Sequence, residues 1–242
     1  MSTEGEQPRL RDALATPDAK RRYVSRLFST IADRYDLITV VLSGGQDSRW
    51  KKRLVAMAPG NLRSALDLAT GTGDIAYSLH DRGARVVGLD ITPRMIELAR
   101  AKAAGPTRPS FLVGDMMALP FPDESFDLVT TGYGIRNVPV IGPALAEIRR
   151  VLRPGGVFLS LDFNRPSNPL VRSIYLSYLT VVGSTLGFVL HGDPDTYRYI
   201  PESIRRYPGA AGVSAIAIDV GFRTCEDRRV LGGLMAIHHA VR

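Results

Sequence analysis

Two glycines lie between two carboxylates in the segment Asp67-Leu68-Ala69-Thr70-Gly71-Thr72-Gly73-Asp74, which follows a short apolar run. Gly71 and Gly73 allow the backbone to turn tightly and to lie against a ligand. A second apolar run ends at Asp90, and a carboxylate in this position typically accepts hydrogen bonds from two ribose hydroxyls. The pattern therefore predicts a site for a cofactor that contains a nucleoside.

Two classes of cofactor fit such a site. Residues 71–76 also match the looser dinucleotide fingerprint, G-x-G-x-x-A. A pyrophosphate is anionic and favours the positive end of a helix, but here Asp67 and Asp74 surround the glycines with negative charge. A sulfonium ion with an amino-acid tail is cationic, and Asp67 would attract its ammonium group. The charge pattern favours S-adenosylmethionine over NAD; the structural alternative for Asp67 is a turn cap.

Alternating strands and helices position these residues. The pattern predicts strands at 64–68, 85–90, 110–113, 126–130 and 157–163, with helices at 74–81 and 144–152 between them. This alternation predicts a mostly parallel sheet with helices on both faces and ligands at the carboxyl ends of the strands. At the end of the third strand, Asp115 could accept the adenine amino group and Met116 could cover the ring.

Longer motifs resemble one family of enzymes. They are Phe28-Ser29-Thr30-Ile31-Ala32-Asp33-Arg34-Tyr35-Asp36 with Trp50, the glycine loop, and the segments 114–122, 134–138, 152–156, 197–204 and 207–208. Together they are similar to the ubiquinone/menaquinone biosynthesis C-methyltransferases, a group of class I S-adenosylmethionine-dependent methyltransferases. The glycine loop and the Pro-Gly-Gly turn indicate only the cofactor. The segments 134–138 and 197–204 are far more particular to this group.

The resemblance implies an α/β, Rossmann-like fold with a seven-stranded sheet of order 3-2-1-4-5-7-6, whose last strands lie at 222–229 and 233–241. It places cofactor contacts on Thr72, Asp90, Asp115 and Met116. The implied reaction is C-methylation of a demethylated polyprenyl hydroquinone, with release of S-adenosylhomocysteine. Segment 37–50 departs from the family pattern, so naphthoquinol and benzoquinol acceptors both stay open. Other readings are N-methylation of phosphatidylethanolamine, a NAD-dependent oxidoreductase, or a non-catalytic cofactor-binding subunit.

The candidate catalytic residues are Arg136 and Asn137, after the fourth strand, with Tyr35. A hydroquinone becomes nucleophilic at the ring carbon beside a hydroxyl once that hydroxyl loses its proton, and donors near the oxygen would stabilise the phenolate. Because an arginine keeps its proton, Arg136 would act by orienting a water and stabilising the anion. The structural alternatives are a salt bridge for Arg136 and a turn or helix cap for Asn137. Tyr197 and Tyr199 either border the acceptor or pack within a lid.

A chain of 242 residues with 45% hydrophobic content predicts one domain over residues 20–242 after a disordered tail, 1–19. Residues 20–60 are predicted to form a helical lid whose amphipathic helix runs from Lys20 to Tyr35. Residues 164–210 are predicted to form a second helical lid over the substrate, inserted after strand five.

Residues 173–190 carry no charge, but they include two glycines and five Ser or Thr residues. This composition predicts a peripheral lid rather than a membrane span. A groove for an apolar chain and plain core packing are both open readings of this segment.

The net charge of +7 comes without a nucleic-acid-binding motif, so no nucleic-acid partner is expected. Basic clusters at 20–22 and 49–53 lie beside aromatic residues, which suits the anionic inner face of a cytoplasmic membrane, although a solvated surface is the alternative. The N-terminus lacks a signal-peptide pattern and Cys225 is the only cysteine, which predicts a cytoplasmic protein. No metal site is expected, and a homo-oligomer is left open.

Overall fold

The structure is a computed structural model that describes residues 10, 14–102 and 108–242. Its strands are β1 Ser64–Leu68, β2 Arg85–Asp90, β3 Ser110–Val113, β4 Phe126–Gly132, β5 Leu152–Phe163, β6 Thr224–Val230 and β7 Met235–Val241. Its helices are α1 Pro17–Ile31, α2 Tyr35–Leu42, α3 Asp47–Ala56, α4 Asp74–His80, α5 Pro93–Ala101, α6 Ile141–Val151, α7 Pro169–His191, α8 Tyr199–Arg206 and α9 Gly209–Asp219. Short 3₁₀ helices lie at Ala32–Arg34, Ile135–Asn137 and Leu231–Gly233.

The strands form one sheet in the order β3-β2-β1-β4-β5-β7-β6, which confirms the predicted fold. Strand β7 pairs antiparallel with both β5 and β6, and the other pairs are parallel. All five residues of β1 are buried, as expected for a strand whose two faces are both covered. One core cluster lies under α3, α4 and α5, and a second lies under α6 and α9.

The parallel pairing brings the predicted polar residues to one edge. Leu68 of β1 pairs with Leu89 and Thr131, and Asp90 pairs with Val113. The loops that follow β1, β2, β3 and β4 are therefore neighbours, although they are far apart in the sequence.

The N-terminal lid differs from the expected single helix. Helix α1 starts at Pro17, three residues before the predicted lid, and the Thr16 side chain accepts a hydrogen bond from the Ala19 amide at 3.2 Å. The Thr-Pro pair is a helix-start signal that the sequence carried. The rest of the tail prediction falls largely outside the described residues. The helix ends at Ile31, a short 3₁₀ helix follows at Ala32–Arg34, and Tyr35 begins α2 instead of closing α1; Asp36 of α2 binds Thr72 and Lys102.

The insertion after β5 contains α7 and α8. The buried residues of α7 include Tyr175, Leu176 and Leu179, which pack with Ile204 of α8. The opposite face of α7 is exposed, so core packing explains only one side of this helix. By length and composition α7 could cross a membrane, and 22% of its apolar window is buried.

Strand β5 begins at Leu152, five residues before the predicted start. The Pro-Gly-Gly turn lies inside this strand as an irregularity: Phe126 pairs with Leu152, but Leu128 pairs with Val157. Gly155 has a φ of +76°, which only glycine adopts easily. The turn was therefore predicted correctly, but its pairing to β4 depends on the neighbouring strand.

Candidate active site

A cavity of about 700 Å³ lies between the N-terminal lid and the carboxyl edge of the sheet. The lid contributes Arg21, Val24, Phe28 and Tyr35. The strand-end loops contribute Ala69, Gly71, Leu89, Asp90, Ile91, Thr92, Met95, Gly114, Asp115, Met116, Gly132, Tyr133, Gly134, Asn137, Val138 and Pro139. The predicted residues Gly71, Asp90, Asp115 and Met116 are thus brought together around one space.

Asp90 connects the glycine loop to the next strand end. Its Oδ2 accepts the Gly71 amide at 2.9 Å, and its Oδ1 accepts the Thr92 amide at 2.8 Å. Burial raises the pKa of this carboxyl, and the two amides oppose that shift. Each carboxylate oxygen has capacity for one more hydrogen bond, so Asp90 can accept two further donors from a ligand in the cavity.

Thr92, Asp115 and Gly134 also line this cavity. The buried Thr92 hydroxyl has no hydrogen-bond partner among the described residues and belongs to a residue that lines the cavity. Asp115 uses Oδ1 for the Met117 amide at 2.9 Å. Gly134 has no side chain and so leaves room for the side chains of Met116 and Thr131. A Cβ at this position would lie 3.4 Å from the Met116 methyl and 2.2 Å from the Thr131 hydroxyl.

Asp67 lies beside this cavity rather than in it. It lines a smaller cavity of about 280 Å³, which shares Tyr35, Ala69 and Gly132 with the larger one. Both oxygens accept hydroxyls, from Thr70 at 2.6 Å and from Thr130 at 2.7 Å. Burial nevertheless raises the pKa of Asp67 to about 6.

Thr72 and Gly73 are the two remaining predicted cofactor residues, and Thr72 lines the small cavity. Thr72 donates its hydroxyl to Asp36 of α2 at 2.7 Å and accepts from Lys102 at 2.8 Å, so it ties the lid to the glycine loop. Gly73 lines neither cavity. It adopts a φ of +87° before α4, and a Cβ there would lie 2.9 Å from the Phe111 ring. A glycine at this position therefore allows the loop to pack against Phe111.

A second cavity of about 600 Å³ adjoins the first. Phe28, Tyr35, Tyr133 and Asn137 line both. Its other lining residues are Leu27, Ile31, Ile38, Thr39, Leu42, Ser43, Arg136, Phe163, Tyr197, Tyr199 and Ile200. The predicted substrate lid thus supplies its 197–200 segment, whereas α7, all of which is described, supplies no lining residue and packs behind that segment.

Arg136 is the only charged side chain among the described residues that line this second cavity. Its Nε lies 3.3 Å from Oδ1 of Asp162, and its Nη1 donates to Asn137 and to Ser203, each at 2.9 Å. Its carbon Cζ lies 5.2 Å from the centre of the Phe163 ring. Within the described part of the chain no hydrogen bond engages Nη2. The side chain is therefore held in a salt bridge, as the structural reading expected, although Nε makes no hydrogen bond to a described residue.

Asn137 is bound to protein on both sides of its amide. Its Oδ1 accepts from Arg136 and from the Tyr199 hydroxyl at 3.1 Å, and its Nδ2 donates to the Tyr133 carbonyl at 2.8 Å. Asn137 thus orients its neighbours. Tyr35 packs against Gly71 in the wall between the cavities, and burial raises the pKa of its phenol above the usual range, which makes it a hydrogen-bond donor rather than a base.

Sequence reasoning missed Asp162, Ser203 and Thr92. Asp162 ends the buried run of β5 in the same way that Asp90 ends β2, so its position was a signal. Ser203 lies in the Pro-Glu-Ser-Ile motif, which was recognised without a role for the serine. Thr92 carried no signal beyond its place two residues after Asp90.

The ubiE/COQ5 methyltransferase family matches residues 16–242. The chain is 41% identical to the ubiquinone/menaquinone biosynthesis C-methyltransferase UbiE of Methylobacterium nodulans, over 91% of each chain. It is 42% identical to a demethylmenaquinone methyltransferase of Thermus thermophilus, over 88% of this chain and 98% of that one.

Solved structures agree at the level of the fold. A possible histamine N-methyltransferase of Thermotoga maritima, described as S-adenosylmethionine-dependent, superposes with a TM-score of 0.67 at 18% identity, over 90% of this chain and 99% of that one. The cofactor predicted from the charge around the glycine loop is confirmed as S-adenosylmethionine. With the family match spanning the lid, the sheet and both cavities, the chain belongs to the ubiE/COQ5 methyltransferase family and is an S-adenosylmethionine-dependent methyltransferase.

Proposed function

We propose that the protein methylates a ring carbon of a demethylated polyprenyl hydroquinone. The observation that carries this proposal is the largely apolar second cavity, which adjoins the cofactor cavity and contains the Arg136 guanidinium. A reduced quinone has the matching chemistry, because its ring and isoprenoid chain are apolar and its deprotonated hydroxyl is anionic. The names of the relatives in quinone biosynthesis support the same acceptor.

The cofactor supplies an electrophilic methyl group on a sulfonium ion. In the proposed complex, Asp90 holds the ribose, Asp115 and Met116 hold the adenine, and Asp67 faces the ammonium group. Tyr35 and Phe28 form the wall where the two cavities meet. Holding both reactants in line at this wall, away from water, is the largest contribution the protein can make, about 7–11 kcal/mol for well-aligned groups.

Arg136 has the position and charge to stabilise the phenolate. Asp162 pairs with its charge at 3.3 Å, and Asn137 and Ser203 accept from Nη1. In the proposed complex Nη2 donates to the acceptor oxygen or to a water beside it. A preorganised donor of this kind stabilises charge that develops during the reaction. Asn137 contributes by orienting Arg136 and Tyr199, so we assign it a positioning role.

An amine acceptor such as phosphatidylethanolamine fits less well. None of the described residues that line the second cavity is acidic, and its one charge is positive. A cationic headgroup would be repelled by Arg136, whereas a phenolate is attracted. A NAD-dependent reaction is disfavoured because the similar proteins are named as methyltransferases of quinone biosynthesis.

The test is incubation with methyl-labelled S-adenosylmethionine and short-chain demethylated quinones, each offered oxidised and chemically reduced, with mass spectrometry to locate the label. We expect label on a ring carbon of the reduced compounds only. Label on nitrogen or oxygen, or equal labelling of oxidised compounds, would contradict the proposal. The same panel compares naphthoquinols with benzoquinols.

We also propose that the protein lies in the cytoplasm and that α7 contacts the inner face of the membrane. Seven large apolar side chains of α7 are exposed: Leu170, Val171, Ile174, Tyr178, Val181, Phe188 and Val189. Arginines lie at both ends of this face, since Arg172 is in its first turn and Arg34 donates to the Leu190 carbonyl. An apolar face between cations suits an anionic bilayer, from which a polyprenyl chain could reach the second cavity.

Vesicle flotation tests this contact. Wild-type protein should float with vesicles that contain an anionic phospholipid, and Ile174→Glu with Phe188→Glu should abolish flotation. Ile218→Glu is the matched control, because Ile218 is 46% exposed on α9, away from α7. If light scattering instead shows a homodimer that the α7 substitutions dissociate, the exposed face is a subunit interface and the membrane proposal is wrong.

A further inference from the structure

The N-terminal lid contacts one loop at the end of each of four neighbouring strands. The contacts are Asp36 to Thr72 at 2.7 Å after β1, Asp33 to Arg94 at 2.7 Å after β2, Arg21 to Asp115 at 2.8 Å after β3, and Lys20 to the loop after β4. In each of the first three at least one side chain, Asp36, Arg94 with Asp33, or Arg21, is about half exposed or more, and such contacts stabilise a closed lid only weakly. The contact of Lys20 is of another kind.

Lys20 binds main-chain atoms of the loop that carries Arg136. Its Nζ donates to the Arg136 carbonyl at 3.1 Å and to the Val138 carbonyl at 2.6 Å. The Arg136 amide donates to Oδ2 of Asp162 at 3.0 Å. The backbone of Arg136 is therefore held by β5 on one side and by the lid on the other, and only the lid side can be released when α1 moves.

Helix α1 also closes both cavities. Arg21 and Val24 line the first cavity, in which we place the cofactor. Leu27 and Ile31 line the second cavity, in which we place the acceptor, and Phe28 lines both. Any movement of α1 that admits the cofactor must move Lys20 as well, because Lys20 is adjacent to Arg21 on the same helix. Cofactor entry and release of the Arg136 backbone are thus mechanically linked.

We propose that Lys20 is a positioning residue, which couples closure of α1 over the cofactor to placement of the Arg136 guanidinium beside the acceptor. This inference rests on the proposed function. Its consequence is an order of events: the donor that stabilises the phenolate reaches its place only after the lid has closed. The acceptor is therefore activated only where water is already excluded.

The charge on Lys20 contributes to this contact, since an ammonium binds carbonyl oxygens more strongly than a neutral amine does. The groups that face it are Arg136, Asp162 and Arg206. Burial lowers the pKa of Lys20 to about 8; the charges of Arg136 and Arg206 lower it as well, and Asp162 opposes them. The contact should therefore weaken above pH 8.

Three variants test the inference. We expect Lys20→Met to lower kcat on a reduced short-chain quinone on the order of tenfold to a hundredfold, the cost of a misplaced catalytic group, with affinity for S-adenosylhomocysteine nearly unchanged. Lys20→Arg should have the kcat of wild type at neutral pH and keep it at pH 9. Wild type should lose activity between neutral pH and pH 9, because its lysine loses its proton. Arg26→Met, an exposed position on the same helix, is the control.

Hydrogen exchange supplies a readout that does not require turnover. With S-adenosylhomocysteine bound, the amides of 135–138 should exchange faster in Lys20→Met than in wild type or Arg26→Met. Unchanged exchange in this segment, or equal losses of kcat and cofactor affinity, would overturn the inference. If wild type methylates no quinol at all, the proposed function fails, while the exchange experiment still decides whether Lys20 holds the loop.

Discussion

The pH dependence of cofactor binding tests the role of Asp67. This carboxyl lines the small cavity beside the glycine loop, and burial raises its pKa to about 6. If the ionised form attracts the ammonium group of the cofactor, protonation must weaken binding. We therefore expect the Kd for S-adenosylhomocysteine to rise as the pH falls from 7 to 5.

The magnitude follows from the pKa. With a pKa near 6, about nine-tenths of Asp67 is ionised at pH 7 and about one-tenth at pH 5, so the Kd should rise about tenfold. Loss of folding does not explain such a change. A carboxyl whose pKa is raised on folding stabilises the folded state at low pH and loses that contribution as the pH rises from 3.8 towards 6, so acidification to pH 5 favours the fold at this residue.

Isothermal titration calorimetry at half-unit pH steps is the assay. Asp67→Asn should bind more weakly at pH 7 and show no change between pH 7 and pH 5. The control is Asp81→Asn, an exposed carboxyl just after α4 that lines none of the three cavities, and its removal should leave the pH dependence intact. A flat profile in wild type, or the same slope in Asp67→Asn, would refute the assignment.

Three further outcomes are expected. Asp90→Ala should lose two charge-assisted hydrogen bonds to the ribose, each worth about 1.5–3 kcal/mol, so calorimetry should show S-adenosylhomocysteine affinity reduced at least about a hundredfold; binding within threefold of wild type would exclude the ribose contact. Arg136→Ala should keep that affinity but lower kcat about a hundredfold or more, and normal turnover would remove Arg136 from the mechanism. Gly134→Ala should destabilise the fold by about 1–3 kcal/mol in urea unfolding, because the new Cβ would lie 2.2 Å from the Thr131 hydroxyl; an unchanged midpoint would mean that the loop relaxes freely.

Several parts of the fold were predictable because local sequence controls them. The buried runs of β1 and β2, the glycine loop and the acid at Asp90 follow one another within 27 residues, from Ser64 to Asp90. The apolar runs favour burial, and the glycines favour a tight turn of the backbone. Parallel pairing then requires the strand ends to meet. The sheet order and the position of the last two strands were known only through the family resemblance, since periodicity does not specify which strands pair.

The lid was predicted with the wrong shape. Tyr35 continues the helical periodicity of α1, but the chain bends at Ala32–Arg34 and α2 turns towards the glycine loop. The cause lies elsewhere in the molecule, because Asp36 binds Thr72 and Lys102. The placement of α2 therefore depends on residues that are distant from it in the sequence.

The sequence by itself determined the first five strands and the class of cofactor, because apolar runs, a glycine turn and strand-end carboxylates have the same chemistry wherever they fold. Only the tertiary structure decided what Arg136 can do. Asp162, Ser203 and Lys20 lie 26, 67 and 116 residues from it, and their convergence holds its main chain and occupies Nη1. Such an arrangement depends on long-range packing of the lid and the insertion against the sheet, which no short motif encodes.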